Sequence, residues 1–406
     1  MTIDSNQFHR DGFLILKNVV PPERLEHLRP VFEELVDKQK KIWAGKRTPD
    51  EPPGGRWDTS PQPRLLLQEL VDATTSDAID FCLGETTIGM SRQLVGGPDT
   101  AIHYMSMMCN PVKDHGPDAW HRDVTTGQPA PLEGIQELLK AYGAQYVQWN
   151  IALYDDDVLW VVPGSHLRRN TPEEDRQLAE DSRVPLPGAL QVNLKAGDGV
   201  VYALPILHWG SNYSPKMRRC IHLGFRAFGG DTFPYVFWRH YDTDFISCLP
   251  PSTQQQFEKF DELWQEEHKA IARIFRSILD RDTESFNETL AQLHRGETGR
   301  IVALVMLSKI VSLMQQSKAI DQEDLPKAER DAKLKTLWYG TRIFKPFCES
   351  FSASDVSDLG LRFSALDSKL KRPEARVQPG FQGPESEYDP NQMPVDFDLE
   401  DFVNSW

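Results

Sequence analysis

Cysteine is scarce in this chain. Cys82, Cys109, Cys220, Cys248 and Cys348 are the five among 406 residues, and no two form a C-x-x-C pair. An odd, scattered set argues against a disulfide framework and fits free thiols in a reducing compartment. Long apolar runs are missing too, since no stretch approaches the roughly 18 residues that a membrane span needs. Met1 to Arg10 is polar and lacks the apolar core of a signal peptide. Basic clusters are also lacking: 45 Lys and Arg stand against 60 Asp and Glu, a net charge of -15. That balance argues against a nucleic-acid surface and against anionic membranes, which both need grouped cations. The expected setting is the cytoplasm and the expected partner a small-molecule substrate, because a pocket can differ in sign from the whole molecule.

What is present is the composition of an ordinary globular protein, 39% hydrophobic and 26% charged, which a large core requires. Residues 12–20, GFLILKNVV, predict a short strand. Leu25, Leu28, Val31, Phe32 and Leu35 then recur at helical spacing behind Pro22, which suits a helix start. A Pro- and Gly-rich loop is expected over 46–63 and a second helical stretch over 64–93. From Thr100 the texture changes to short apolar runs between Gly, Pro and Asp turns: AIHYMSMMC, QYVQWNIALY, VLWVV, LQVNL, GVVYAL and RRCIHLGFRAF. Strands at such intervals predict a sandwich or barrel-like β fold, interrupted by a helix over 131–143 that a glycine ends.

Beyond Pro251 the pattern is helical, over 253–280, 282–295, 297–317 and 324–350, without a repeat period. From Pro373 the chain is rich in Pro, Gly, Glu and Asp, as a flexible tail is. Its last residues, DFDLEDFVNSW, leave two readings open: a segment packed on its own domain, or a docking segment for a partner. The domain plan is therefore a β-rich domain over 1–250, a helical region over 251–372 and an acidic tail over 373–406. The helical region either covers the β domain or forms a homodimer interface.

The triplet His-x-Asp occurs three times, at His9/Asp11, His121/Asp123 and His240/Asp242. His9 and Asp11 precede the first strand, where a surface or capping role is expected. His240 and Asp242 lie where strands give way to helices, and the next histidines, His268 and His294, fall on helical stretches. His121 and Asp123, in PDAWHRDVTTG, follow an apolar strand, and His208 ends the run GDGVVYALPILH. Two imidazoles and a carboxylate on one face of an octahedron suit iron(II) and leave three positions open, whereas zinc more often takes four ligands. Arg219 follows His208 by eleven residues. A paired strand would return its guanidinium alongside His208, where it suits a remote carboxylate.

These features together resemble the phytanoyl-CoA dioxygenase family of iron(II)/2-oxoglutarate oxygenases. The matching segments are FHRDGFLILKNVVPPERLEHLR, WHRD, IALYDDDVLWVVPGSH and KAGDGVVYALPILHWGSN, roughly residues 8–230. The resemblance implies a double-stranded β-helix (jelly roll, cupin-like) flanked by helices, with the metal inside one open end. It implies His121, Asp123 and His208 as iron ligands, Arg219 on the far carboxylate of 2-oxoglutarate, and Trp149 lining the cosubstrate pocket. The reaction implied uses O2, converts 2-oxoglutarate to succinate and hydroxylates the substrate. Asp123 favours hydroxylation over halogenation, since related halogenases lose that carboxylate.

Two departures stand out. The acidic YDDDVLWVV is shorter than the family's usual turn. The usual His-x-Ser is replaced by His208-Trp209-Gly210, so the candidate serine becomes Ser211. In the Pro163–His166 turn, His166 reads as loop structure or pocket rim rather than a fourth ligand. Strand alternation would turn only one of His103 and Tyr104 inward. The acidic net charge disfavours a bulky polyanion such as an acyl-CoA, for which no basic cluster near the motif offers a docking site beyond the contributions of Arg168, Arg169 and Arg226. The alternatives are a metal oxygenase that does not use 2-oxoglutarate, and a catalytically silent β-helix serving as a scaffold.

Overall fold

The computed structural model describes residues 3–97, 99–123, 131–228, 237–240, 242–294, 296–337, 347–370, 393–394 and 396–406. Most of the expected tail, 373–392 with 395, lies outside the described residues, as does 338–346 of the stretch expected to be helical over 324–350. The fold is mixed α/β, with antiparallel sheets and many helices. No described helix is long and apolar enough to cross a membrane. The five cysteines are free.

The chain divides into two compact units. The first comprises Met1–Asp123, Tyr142–Ala227 and Tyr241–Asp261, and the second the remainder. In the first, helix α1 (Ser5–Asp11) leads into strand β1 (Phe13–Leu16). Helix α2 (Pro22–Gly45) starts on Pro22 and buries Leu25, Leu28, Phe32, Leu35 and Val36, the stripe its periodicity predicts. Helix α3 (Arg56–Thr59) is a single turn within the expected loop.

The stretch 64–93 departs from its helical expectation. Residues Arg64–Leu66 form strand β2, and only Asp77–Cys82 (α4) and Met90–Val95 (α5) are α-helical. The Cys109 N–H donates to the Pro63 carbonyl at 2.8 Å and Leu65 pairs across to Met107, which holds the segment extended. Tertiary pairing overrides the helix propensity of three consecutive leucines.

The six-stranded sheet runs β1-β7-β4-β9-β3-β2, with β3 Thr100–Cys109, β4 Tyr146–Ala152, β7 Gly199–Ala203 and β9 Arg219–Ala227. The three-stranded sheet runs β6-β5-β8, with β5 Leu159–Val161, β6 Leu190–Gln191 and β8 His208–Gly210. Every pairing is antiparallel. The sheets meet through Ala152, Val200 and Tyr202 from one side and Leu159 and Val161 from the other.

His208 was expected at the end of the Gly199 strand. It opens a separate strand of the small sheet, because the chain leaves β7 at Ala203 and turns through Pro205. Gly197 makes the turn before β7, with φ +91° and so little space that a Cβ would lie 2.5 Å from the Val20 carbonyl oxygen.

Helix α8 (Pro251–Asp280), which belongs to the second unit from Glu262 onward, and helices α9 (Thr283–Leu293) and α10 (Gly296–Gln322) of that unit lie close to their expected spans. Helix α11 covers Lys327–Thr336. Helix α12 (Ala353–Leu370) lies within the region expected to be helical over 251–372, and its Val356, Leu359, Phe363 and Leu366 mark a buried stripe at helical spacing. The core is apolar and aromatic, built around Phe275, Phe286, Met314 and Phe363.

Helix α6 (Leu132–Tyr142) matches its expected span but, up to Ala141, groups with this unit, across the boundary expected at residue 250. Its Ile135 and Leu138 pack against the helical core, which explains the grouping. The last residues form α13 (Leu399–Asn404), capped by Asp398, with Phe402 and Val403 buried in that same core. Of the two readings of DFDLEDFVNSW, the packing corresponds to the first.

Candidate metal centre and cosubstrate pocket

His121 and His208 face each other across a two-residue antiparallel bridge. The His121 N–H donates to the His208 carbonyl and the His208 N–H to the His121 carbonyl, both at 2.9 Å. Tryptophans next to each ligand brace this bridge. Trp120 and Trp209 stack with centroids 5.2 Å apart, Trp160 meets Trp209 edge-on, and the indole N–H groups donate to Val184 and Asp118 carbonyls.

Each imidazole is oriented by its own backbone. His121 Nδ1 lies 2.8 Å from the Ala119 carbonyl and His208 Nδ1 lies 3.0 Å from the Ile206 carbonyl. A carbonyl only accepts, so both Nδ1 atoms carry the proton and both Nε2 lone pairs are free. Those Nε2 atoms point at one carboxylate: His121 Nε2 is 3.7 Å from Asp123 Oδ1, and His208 Nε2 is 3.5 Å from Asp123 Oδ2. One donor atom from each residue lies within 4.8 Å of the other two. Among the described residues this is the only group of three or more potential ligands that meets that spacing.

Protonation states favour metal binding. Burial pushes the His208 imidazolium down to about 4, with His121 adding to the effect and Asp123 opposing it. Burial alone would raise the Asp123 carboxyl. His208, His121 and the Gln148 amide outweigh it and hold Asp123 below its usual range. Two imidazoles and a carboxylate are a set that iron(II) accepts readily. Between the ligands, fully buried Arg122 donates to the Ser165 and Pro205 carbonyls and to Asn170 Oδ1, tying the HRD turn to the PGSH turn and to the approach to His208.

Other groups reach the same space through strand parity. Gln148 Nε2 donates to Asp123 Oδ2 at 2.8 Å, and Asn150 Oδ1 holds His222 Nδ1 at 2.8 Å. The inward face of β4 is therefore Tyr146, Gln148 and Asn150, and that of β9 is Cys220, His222 and Gly224. Burial first, then Arg64, press the His222 imidazolium down to about 3. Tyr202 comes within 5.5 Å of the His208 ring. Burial would lower the Arg64 pKa, but Tyr104, Tyr213 and Asp123 outweigh it and keep it raised. Gln148, His222, Tyr202 and Arg64 were not singled out in the sequence. Alternation along β4 and β9 was the available signal, and it needs one residue of known facing to be read.

His103 and Tyr104 depart from alternation. A bulge between Ile102 and Tyr104 lets both turn to the cavity face, His103 against Tyr146 at 5.3 Å and Tyr104 against His222 at 5.6 Å.

Three expected cosubstrate residues do not join this space. Trp149 lies on the opposite face of β4 from Gln148 and donates from its indole to Ser91 Oγ at 2.9 Å. The Ser211 hydroxyl donates to the Val158 carbonyl at 3.0 Å. Arg219 lies on the opposite face of β9 from His222. There it pairs with Glu33 of α2 at 2.9 Å and donates to Asn110 and the Arg218 carbonyl.

Its neighbour Arg218 has the inward parity. Its Nε donates to Asp156 at 2.7 Å, while its buried Nη1 has no acceptor. His166 is buried against the N-terminal segment, with Nε2 3.0 Å from the His9 carbonyl, and is no fourth ligand. Asp11 pairs with Arg10, and the His240 side chain lies outside the described residues.

A sequence model of the family described as phytanoyl-CoA dioxygenase (PhyH) matches residues 8–220. The ectoine dioxygenase of Nocardia farcinica (strain IFM 10152) is 24% identical over 248 residues, covering 54% of this chain and 76% of that relative. Among solved structures, EctD from S. alaskensis with 2-oxoglutarate and 5-hydroxyectoine is similar at 17% identity and a TM-score of 0.40, over 56% of this chain and 79% of that one. AviO1 from Streptomyces viridochromogenes Tue57 is similar at 23% identity and a TM-score of 0.40, over 56% of this chain and 96% of that one.

Proposed function

The chain belongs to the phytanoyl-CoA dioxygenase (PhyH) family of non-heme iron, 2-oxoglutarate-dependent dioxygenases, and from that premise we propose that it hydroxylates a small organic molecule at an iron held by His121, Asp123 and His208. The observation that carries the reading is the convergence of both Nε2 atoms on the Asp123 carboxylate while both Nδ1 atoms are tied to backbone carbonyls. No packing requirement explains that orientation, whereas a metal does. The two face-to-face antiparallel sheets support reading the β region as a double-stranded β-helix.

When bound, iron(II) and 2-oxoglutarate together supply the oxidising power that turns a C–H bond and O2 into an alcohol, with succinate and carbon dioxide as coproducts. The chain's residues hold and shield that chemistry. His121 and His208 would hold the metal through their imidazole nitrogens and Asp123 through its carboxylate. Gln148 fixes the rotation of the Asp123 carboxylate by donating to Oδ2. The stacked Trp120 and Trp209, 1% and 4% exposed, exclude water behind the bridge.

We assign the far carboxylate of 2-oxoglutarate to Arg218 rather than Arg219, because Arg218 shares the strand face of His222 and has a buried donor without an acceptor. Tyr104, His103 and Arg64 line the space left for the substrate. Among the alternatives, the intact ligand set argues against a silent scaffold.

An anaerobic titration with iron(II) and 2-oxoglutarate tests this reading through the visible charge-transfer band. A band that needs both components and is absent in His208→Ala is the expected result. Iron binding without a band would point to an oxygenase of another kind, and no iron binding to a scaffold.

A further inference from the structure

Resting on the 2-oxoglutarate reading above, we propose that the Tyr213 hydroxyl donates a hydrogen bond to the far carboxylate of the cosubstrate, beside Arg218. The residue two positions after His208 is Gly210, where the family commonly has serine. The backbone at Gly210 does not demand glycine, but the space above it does. A Cβ built there would lie 2.5 Å from Tyr213 Oη and 2.8 Å from Cε1 and Cζ of the same ring. The tip of the phenol thus occupies the volume a side chain at position 210 would fill, and it brings a hydroxyl there. Ser211, the nearest serine in the chain, has turned its hydroxyl to the Val158 carbonyl.

The base of Tyr213 is fixed. Its N–H donates to the Gly116 carbonyl at 2.8 Å, its carbonyl accepts from His115 at 2.9 Å, and Asp118 donates to the Gly210 carbonyl at 3.0 Å. The hydroxyl itself makes no hydrogen bond with any described residue, and it is not sealed from solvent. The phenol thus stands over the strand that carries His208 with a donor that no described residue takes up. Burial raises the Tyr213 pKa, against the pull of Arg218 and Arg64, so the phenol keeps its proton at neutral pH and can donate. Tyr213 and Arg218 also line one pocket, with Asn110 and Asp156 on its wall. A neutral donor beside a cation is the combination that a carboxylate selects.

The test uses the full chain, loaded anaerobically with iron(II), and reads the cosubstrate Kd from the charge-transfer band. Tyr213→Phe removes one oxygen atom and is expected to weaken 2-oxoglutarate about tenfold, or about 1.4 kcal/mol. Iron affinity and the apoprotein unfolding midpoint should match the parent. The second probe is 2-oxovalerate, which lacks the far carboxylate and should bind the parent and the variant equally. Adding Gly210→Ser to a Tyr213→Ala background should recover part of the lost affinity by returning a hydroxyl to the same volume.

Unchanged 2-oxoglutarate affinity in Tyr213→Phe, or an equal loss for both oxo acids, would overturn this inference alone. A parent protein that forms no band with iron and 2-oxoglutarate would overturn the cosubstrate reading, and this inference with it.

Discussion

Two arginines stand side by side at the entry to β9 and meet opposite surroundings. Arg219 turns toward α2 and spends its guanidinium on Glu33, Asn110 and the Arg218 carbonyl. Arg218 turns to the face shared by Cys220 and His222, engages Asp156 with one nitrogen and leaves Nη1 without an acceptor. The same contrast runs along β4, where Trp149 is satisfied by Ser91 and Gln148 reaches Asp123 of the candidate metal centre. One face of the sheet closes its own hydrogen bonds and stabilises the fold, while the other keeps polar groups oriented toward a space that a ligand would complete. The helical unit resembles the first face throughout its core, with Phe275, Phe286 and Phe363 packed on one another's neighbours.

The contrast breaks most severely at the ligands. His208→Ala should abolish the iron(II)/2-oxoglutarate band and lower iron affinity at least a hundredfold, as read by anaerobic titration. The two arginines sharpen it next. Arg218→Ala should weaken 2-oxoglutarate about a hundredfold with iron binding retained. Arg219→Ala should leave cosubstrate affinity unchanged and cost about 1–3 kcal/mol of stability in urea unfolding. The reverse pattern would return the cosubstrate to Arg219.

In the helical unit, Phe402→Ala should cost about 3 kcal/mol, read by the same denaturation, and leave the band intact. A variant with unchanged stability would mean that the terminal helix does not pack as described.

Stability should also fall in acid. Burial holds His166 near about 4 and His222 and His294 near about 3, against an ordinary 6.5. Between about 6.5 and those values the unfolded chain binds protons that the folded chain refuses. Stability is therefore present above about pH 6.5 and lost as pH falls toward 4. The apoprotein melting temperature measured at about pH 5 should be below that at about pH 7.5. The smallest effect is expected from Trp149→Phe, about 1 kcal/mol of stability with the band unaffected.

Strand spans were readable because short apolar runs stood between Gly, Pro and Asp turns, and the helices from Pro251 were readable from their periodicity. Residues 64–93 were not, since Arg64–Leu66 became a strand only by pairing with Ser106–Met108. The convergence of His121, Asp123 and His208 was legible because two histidines and an aspartate, in order within a β texture, have few other uses. The facing of the cosubstrate residues was not. All nine residues of β9 are buried, so hydrophobic alternation carries no sign of which side is inward, and the choice between Arg218 and Arg219 is invisible locally.

By itself, then, the sequence determined most of the element types, the three side chains that converge at His121, Asp123 and His208, and the family to which the chain belongs. Only the tertiary structure decided which face of each strand meets the cavity beside His121, Asp123 and His208, that a bulge turns both His103 and Tyr104 the same way, and that Tyr213 covers Gly210. The physical reason is that side-chain facing in a sheet has a period of two and is set by register against a partner strand. A single-residue shift reverses it, and no residue carries that information alone.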